Sequence, residues 1–194
     1  ERLLAEWTLA DRVVVNSEWS KQAIVKQGIA AEKIAVVPLA YEPEAGPPAP
    51  PRSIAPADRP LRVLWLGQII LRKGIPYLFE AARRLQRENI QFIVAGRIGI
   101  SEAALKTAPP NVQVLGKVPR LRALELYRNS DLFVLPTMSD GFALTQLEAM
   151  SFGLPVIATP RCGQVVTDGH NGRIVPAGDA EALAQALSQL MSDR

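Results

Sequence analysis

Two stretches of this sequence carry side chains suited to a phosphorylated, hydroxyl-rich ligand. The first is Gly67-Gln68-Ile69-Ile70-Leu71-Arg72-Lys73-Gly74, where two glycines frame two adjacent cations. Gly67 lets backbone approach a ligand closely, Arg72 can fork two hydrogen bonds to phosphate oxygens, and Lys73 adds a compact positive charge. A helix starting near Gly74 would turn its positive dipole end toward the same anion. The loop is neither a Walker loop nor a GxGxxG, so on spacing alone a solvated basic turn is the simpler reading. The second stretch is Asp140-Gly141-Phe142-Ala143-Leu144-Thr145-Gln146-Leu147-Glu148, with seven residues between its two acids. If the helix opens at Leu144, Asp140 lies in the loop before it and Glu148 about one turn inside. A carboxylate between Leu147 and Ala149, in an otherwise apolar helix, is costly to bury without a partner. A ribose diol could donate both hydroxyls to it; solvent is the alternative. The backbone N–H groups of Gly141, Phe142, Ala143, Leu144 and Thr145 precede or open the helix and are available to a sugar hydroxyl or a phosphate.

Composition excludes several other chemistries. Cys162 is the sole cysteine and His170 the sole histidine, which leaves no disulfide framework, no thiolate metal site and no partners for a Ser-His-Asp or Cys-His relay. The net charge of +3 comes from 22 basic and 19 acidic residues scattered along the chain, a distribution that argues against nucleic acid as a partner. No apolar run approaches the roughly 18 residues of a membrane span, and none at the start has the make-up of a signal peptide. The expectation is a cytoplasmic protein or one peripheral to the inner membrane. The DGHNG setting of His170 reads as a turn, and Trp7, Trp19 and Trp65 read as packing residues.

The elements that must position these loops follow from periodicity. Residues 1–10 form the last turns of an amphipathic helix, with Leu3, Leu4, Trp7 and Ala10 on one face. A strand at 12–16 leads to Ser17, an N-cap for a helix over 18–27, and a strand at 34–37 ends at Pro38. Residues 43–60 hold seven prolines and read as an extended linker. Strands are then expected at 62–66, 91–95, 112–115, 132–135, 156–158 and 173–175. They alternate with helices at 75–88, 101–106, 121–129, 144–152 and 180–191. This alternation predicts an α/β fold, a doubly wound Rossmann-like parallel sheet with the ligand beyond the carboxyl ends of its strands.

The segments ADRVVVNSEWSKQAIVKQG (10–28), LRVLWLGQIILRKG (61–74), SDGFALTQLEAMSFGLPVIAT (139–159) and DGHNGRIVPAGD (168–179) together resemble glycosyltransferase family 4, the group 1 glycosyltransferases of GT-B fold. The resemblance implies that residues 61–194 form one half of a GT-B fold, the C-terminal nucleotide-sugar-binding domain, and that residues 1–42 are the tail of an N-terminal domain whose acceptor-binding remainder is missing. It implies a retaining hexosyltransferase that works without a metal or other cofactor and takes a UDP- or GDP-sugar as substrate. Arg72 and Lys73 would neutralise the donor diphosphate, Glu148 would hold the ribose hydroxyls, and Asp140 would face the donor sugar. Gly67 and the run from Gly141 through Phe142, Ala143 and Leu144 to Thr145 would line the donor, with Lys117 and Val118 near the base. The sequence departs from the family at Asp140, usually a glutamate, and at Ala143, usually a glycine; Gln164 also stands where relatives carry other donor-facing groups. The family's active-site histidine belongs to the N-terminal domain, and His170 does not replace it. On this reading the chain alone binds donor without transferring sugar, and its exposed former interdomain face drives self-association. The competing readings are a non-catalytic nucleotide-binding or interaction module and a sugar-nucleotide epimerase.

Overall fold

In the computed structural model, which describes residues 2–43 and 58–192, the apolar runs become eight short strands. β1 (Val13–Val15) and β2 (Ile34–Val36) pair in parallel, Val13 opposite Ile34, as a separate two-stranded sheet. α1 (Arg2–Leu9) and α2 (Glu18–Val25) flank them, and Ser17 caps α2 by accepting from the Ser20 N–H. A small core of Val13, Ile24, Ile29 and Ile34 holds this part together, with Trp7 packed at its edge. Residues 44–57, which contain most of the proline-rich stretch, lie outside the described residues.

The remaining strands are β3 (Leu61–Leu66), β4 (Ile90–Ala95), β5 (Val112–Gly116), β6 (Leu132–Leu135), β7 (Val156–Ala158) and β8 (Gly172–Ile174). They form one six-stranded sheet in the order β5-β4-β3-β6-β7-β8, every pairing parallel. Strands buried on both faces read as unbroken apolar runs, and alternate side chains divide between two cores. Val63, Trp65, Phe92, Val94 and Val134 face α3 (Ile75–Arg84) and α7 (Ala180–Ser192), whose Leu78, Phe79, Leu183 and Leu187 are buried there. Leu64, Ile93, Phe133 and Leu135 face α5 (Arg120–Arg128) and α6 (Leu144–Ser151), which contribute Leu126, Tyr127 and Ala149. A short α4 (Glu102–Leu105) connects β4 to β5.

The expected α/β doubly wound sheet is therefore present, with the strands at 132–135 and 156–158 as expected and other end-points moved by at most four residues. The helix expected over 75–88 stops at Arg84, because the Leu85 N–H reaches the Ala81 and Ala82 carbonyls and the chain then tightens toward β4. Two 3₁₀ turns, Ala31–Lys33 and Leu71–Lys73, are additions to the sequence-based picture. Trp65 is core, whereas Trp19 is half-buried and supports the Arg161 guanidinium 4.7 Å above its ring.

Candidate functional site

From β3 the chain runs outward through β4 to β5 and then returns to the other side of β3 as β6. The direction of winding reverses between β3 and β6, and open parallel sheets leave a crevice at that point beyond their carboxyl edge. The loops leaving these two strands are the two stretches that carry the charged residues.

They are joined closely. The Arg72 carbonyl accepts from the Met138 N–H at 2.9 Å and from the Thr137 hydroxyl at 3.1 Å. The Arg72 guanidinium donates to the Ser139 carbonyl, and the Lys73 ammonium is ion-paired with Asp140. The 3₁₀ turn Leu71–Lys73 sets both cations in place and ends at Gly74, which has φ 80° and opens α3. A Cβ on Gly74 would lie 1.8 Å from the Pro136 carbonyl oxygen, so only glycine lets the loops pass this closely.

Asp140 is mostly buried. One carboxylate oxygen meets Lys73, the other accepts from the Phe142 N–H at 3.4 Å, and the Asp140 N–H donates to the Arg161 carbonyl at 2.8 Å. Phe142 is buried under Gly163, and the fully buried Gln146 amide donates to the Phe142 and Gly163 carbonyls at 2.6 and 3.1 Å. The loop is thus fastened from beneath, while Gly141 and Leu144 stay exposed and Ala143 and Thr145 half-exposed. Ala143, the N-cap of α6, has φ 62° and ψ 78°, and among the described residues it alone of the non-glycines has positive φ.

Glu148 meets neither open solvent nor an empty interior. Its side chain is 16% exposed, one oxygen accepts from Arg120 Nη1 at 2.8 Å, and the other accepts from the Tyr127 hydroxyl at 2.8 Å. Arg120 Nη2 in turn donates to the Tyr41 hydroxyl at 3.0 Å. Burial, reinforced by the Glu148 charge, pushes the Tyr127 hydroxyl well above the ordinary tyrosine range, so it stays a proton donor. Sequence reasoning missed Arg120, Tyr127 and Tyr41. The usable signal was the lone Glu148 in an apolar helix, which requires a donor without saying which.

Gly67, at the end of β3, is half-buried; its N–H donates to the Ala95 carbonyl and its carbonyl oxygen lies 1.6 Å from where a Gly96 Cβ would stand. Lys117 is exposed and Val118 packs partly into the second core, both just after β5, which is separated from β6 by β4 and β3. The structure brings Arg72, Lys73 and Asp140 into contact and joins Glu148 to the N-terminal end of α5, just beyond Lys117 and Val118. His170 lies in the exposed turn before β8, where it helps line a cavity of about 510 Å³ at the amino-terminal edge of the sheet, away from these loops.

The part built on β1 and β2 touches the same loop. Ser17 donates to the Gly141 carbonyl at 2.5 Å, and a Cβ on Gly141 would meet the Asn16 side chain at 3.4 Å.

The family described as "Glycosyl transferases group 1" matches residues 60–193. The amylovoran biosynthesis glycosyltransferase AmsK of Erwinia amylovora is 29% identical, covering 86% of this chain and 44% of its own length. The D-inositol 3-phosphate glycosyltransferase of Nocardia farcinica is 30% identical over 100% of this chain and 47% of its own. The chain spans about half the length of these relatives. Among solved structures, the apo lipopolysaccharide outer core galactosyltransferase WaaB superposes with a TM-score of 0.76 at 24% identity, over 96% of this chain and 54% of that one. HepE from Anabaena, solved with UDP and glucose, superposes with a TM-score of 0.77 at 21% identity, over 95% and 54%. Both share the fold.

Proposed function

The chain belongs to the group 1 glycosyl transferases, and we propose that it is the donor-binding half of a retaining enzyme that moves a sugar from a UDP- or GDP-sugar to a hydroxyl acceptor. The observation that carries this reading is the charge balance at the switch point. Lys73 is matched by Asp140 and Glu148 by Arg120, while among the described residues Arg72 pairs with no carboxylate and donates to a neutral carbonyl. A diphosphate arriving at the crevice would meet Arg72, Lys73 and the amino-terminal end of α3 together. These are the groups that would stabilise the departing nucleotide diphosphate as the glycosidic bond breaks, in place of a divalent ion. Glu148 would take the ribose hydroxyls, the backbone from Gly141 to Thr145 the donor sugar and phosphate, and Lys117 with Val118 the base. Asp140 would face the sugar while holding Lys73 in position. The HepE complex with UDP and glucose supports this ligand class through a shared fold.

The acceptor would be held by a second domain, so this chain binds donor without transferring it. The variants Glu148→Ala and Arg72→Ala/Lys73→Ala test the roles by nucleotide titration. Each removes a charged hydrogen-bond partner worth about 1.5 to 3 kcal/mol, so affinity should fall roughly tenfold or more while the far-UV circular dichroism is unchanged. Unchanged affinity in both variants would place the site elsewhere.

A further inference from the structure

We propose that Arg120 is a further residue of the donor site, a positioning residue that works with Tyr127 to aim the Glu148 carboxylate at the two hydroxyls of a ribose ring. The inference rests on the donor-binding reading above and adds to it the device that orients Glu148.

An ionised carboxylate offers about four lone-pair sites, two on each oxygen. In this structure Arg120 occupies a site on one oxygen of Glu148 and Tyr127 a site on the other, each at 2.8 Å. Both oxygens therefore keep capacity for one more donor, which is what a vicinal diol supplies. The two protein donors differ in stiffness. Tyr127 is fully buried, its ring stacked on Phe152 at 5.4 Å with 7° between planes and set beside Phe133 at 6.0 Å, so its hydroxyl is a fixed point. Arg120 is 44% exposed and would wander if Glu148 were its sole contact. Its guanidinium is held at a second corner by the Tyr41 hydroxyl, and a planar fork fixed at two corners has its orientation set. Tyr41 lies in the segment without regular secondary structure after β2, so the aim of Glu148 on α6 depends on a residue 107 positions earlier in the chain.

A merely structural role for Arg120 would weaken ribonucleotide and deoxyribonucleotide alike, whereas aiming Glu148 acts on the sugar hydroxyls. The test is calorimetric titration of the 194-residue chain, wild type and Arg120→Ala, with UDP, GDP and their 2′-deoxy counterparts. Wild type should prefer the ribonucleotide by roughly tenfold, and Arg120→Ala should bring that ratio close to one, with Arg120→Lys recovering part of it. If Arg120→Ala does not fold, Arg120→Gln, which keeps the stem of the side chain, carries the same expectation. A folded variant that keeps the wild-type preference overturns the role of Arg120 and leaves the donor site standing. A wild-type chain that binds neither nucleotide overturns the donor site, and the role of Arg120 falls with it.

Discussion

Charge balance at the switch point sets what each residue can do there. Arg72, Lys73 and Asp140 follow strands, so the strand pattern put them at the carboxyl edge of the sheet, but spacing alone also fitted a solvated basic turn, and it was the family resemblance that singled them out. Arg120 and Tyr127 were not legible in the sequence, since they reach Glu148 across 28 and 21 residues and nothing local ties them to it. Cys162 belongs to the same scale. Burial first, and then the nearby charge of Asp140, push its thiol up to about 12. A raised thiol pKa means the fold prefers the neutral form, so the linked stability is complete below the ordinary thiol range. It falls as pH rises above that range and is gone by about 12. At pH 8 the folded chain should resist maleimide and react only after unfolding in urea, as read by intact mass; rapid labelling of the folded chain would contradict this burial.

At the scale of elements, the strands and helices were legible because buried parallel strands read as apolar runs between turn residues. Their end-points and the 3₁₀ turn Leu71–Lys73 were not, since these depend on how each loop closes against its neighbour. That turn is what places Arg72 and Lys73 beneath Ser139 and Asp140. Ala143 shows the cost of such closure. Left-handed backbone at a residue with a Cβ costs roughly 1 to 2 kcal/mol, and the greater unfolded-state freedom of glycine takes back about 0.4 to 1. Ala143→Gly should therefore stabilise the chain by about 0.5 to 1 kcal/mol, seen as a rise of roughly 1 to 4 °C in thermal midpoint. A lower midpoint would mean that the methyl group's packing on the second core outweighs the strain.

Across the whole molecule, alternation of strand and helix made a parallel sheet legible, but not the order β5-β4-β3-β6-β7-β8, because crossovers on either side of β3 leave the same local pattern. The part built on β1 and β2 exposes large apolar side chains: Leu9 is 85% exposed, Val14 65%, Leu3 61% and Val37 58%. α1 has no buried residue. Such a surface favours association, so sedimentation should show species above the monomer mass that diminish in a Leu9→Glu, Val14→Glu variant; a monomer at all concentrations would contradict this. The central claim, a donor site that meets a diphosphate with side-chain cations and helix ends, is tested most directly by titrating the chain with UDP, GDP and ADP, with and without magnesium. The account predicts that UDP or GDP binds with the same affinity in both conditions, and binding that appears with magnesium alone, or no binding of any of the three, would contradict it.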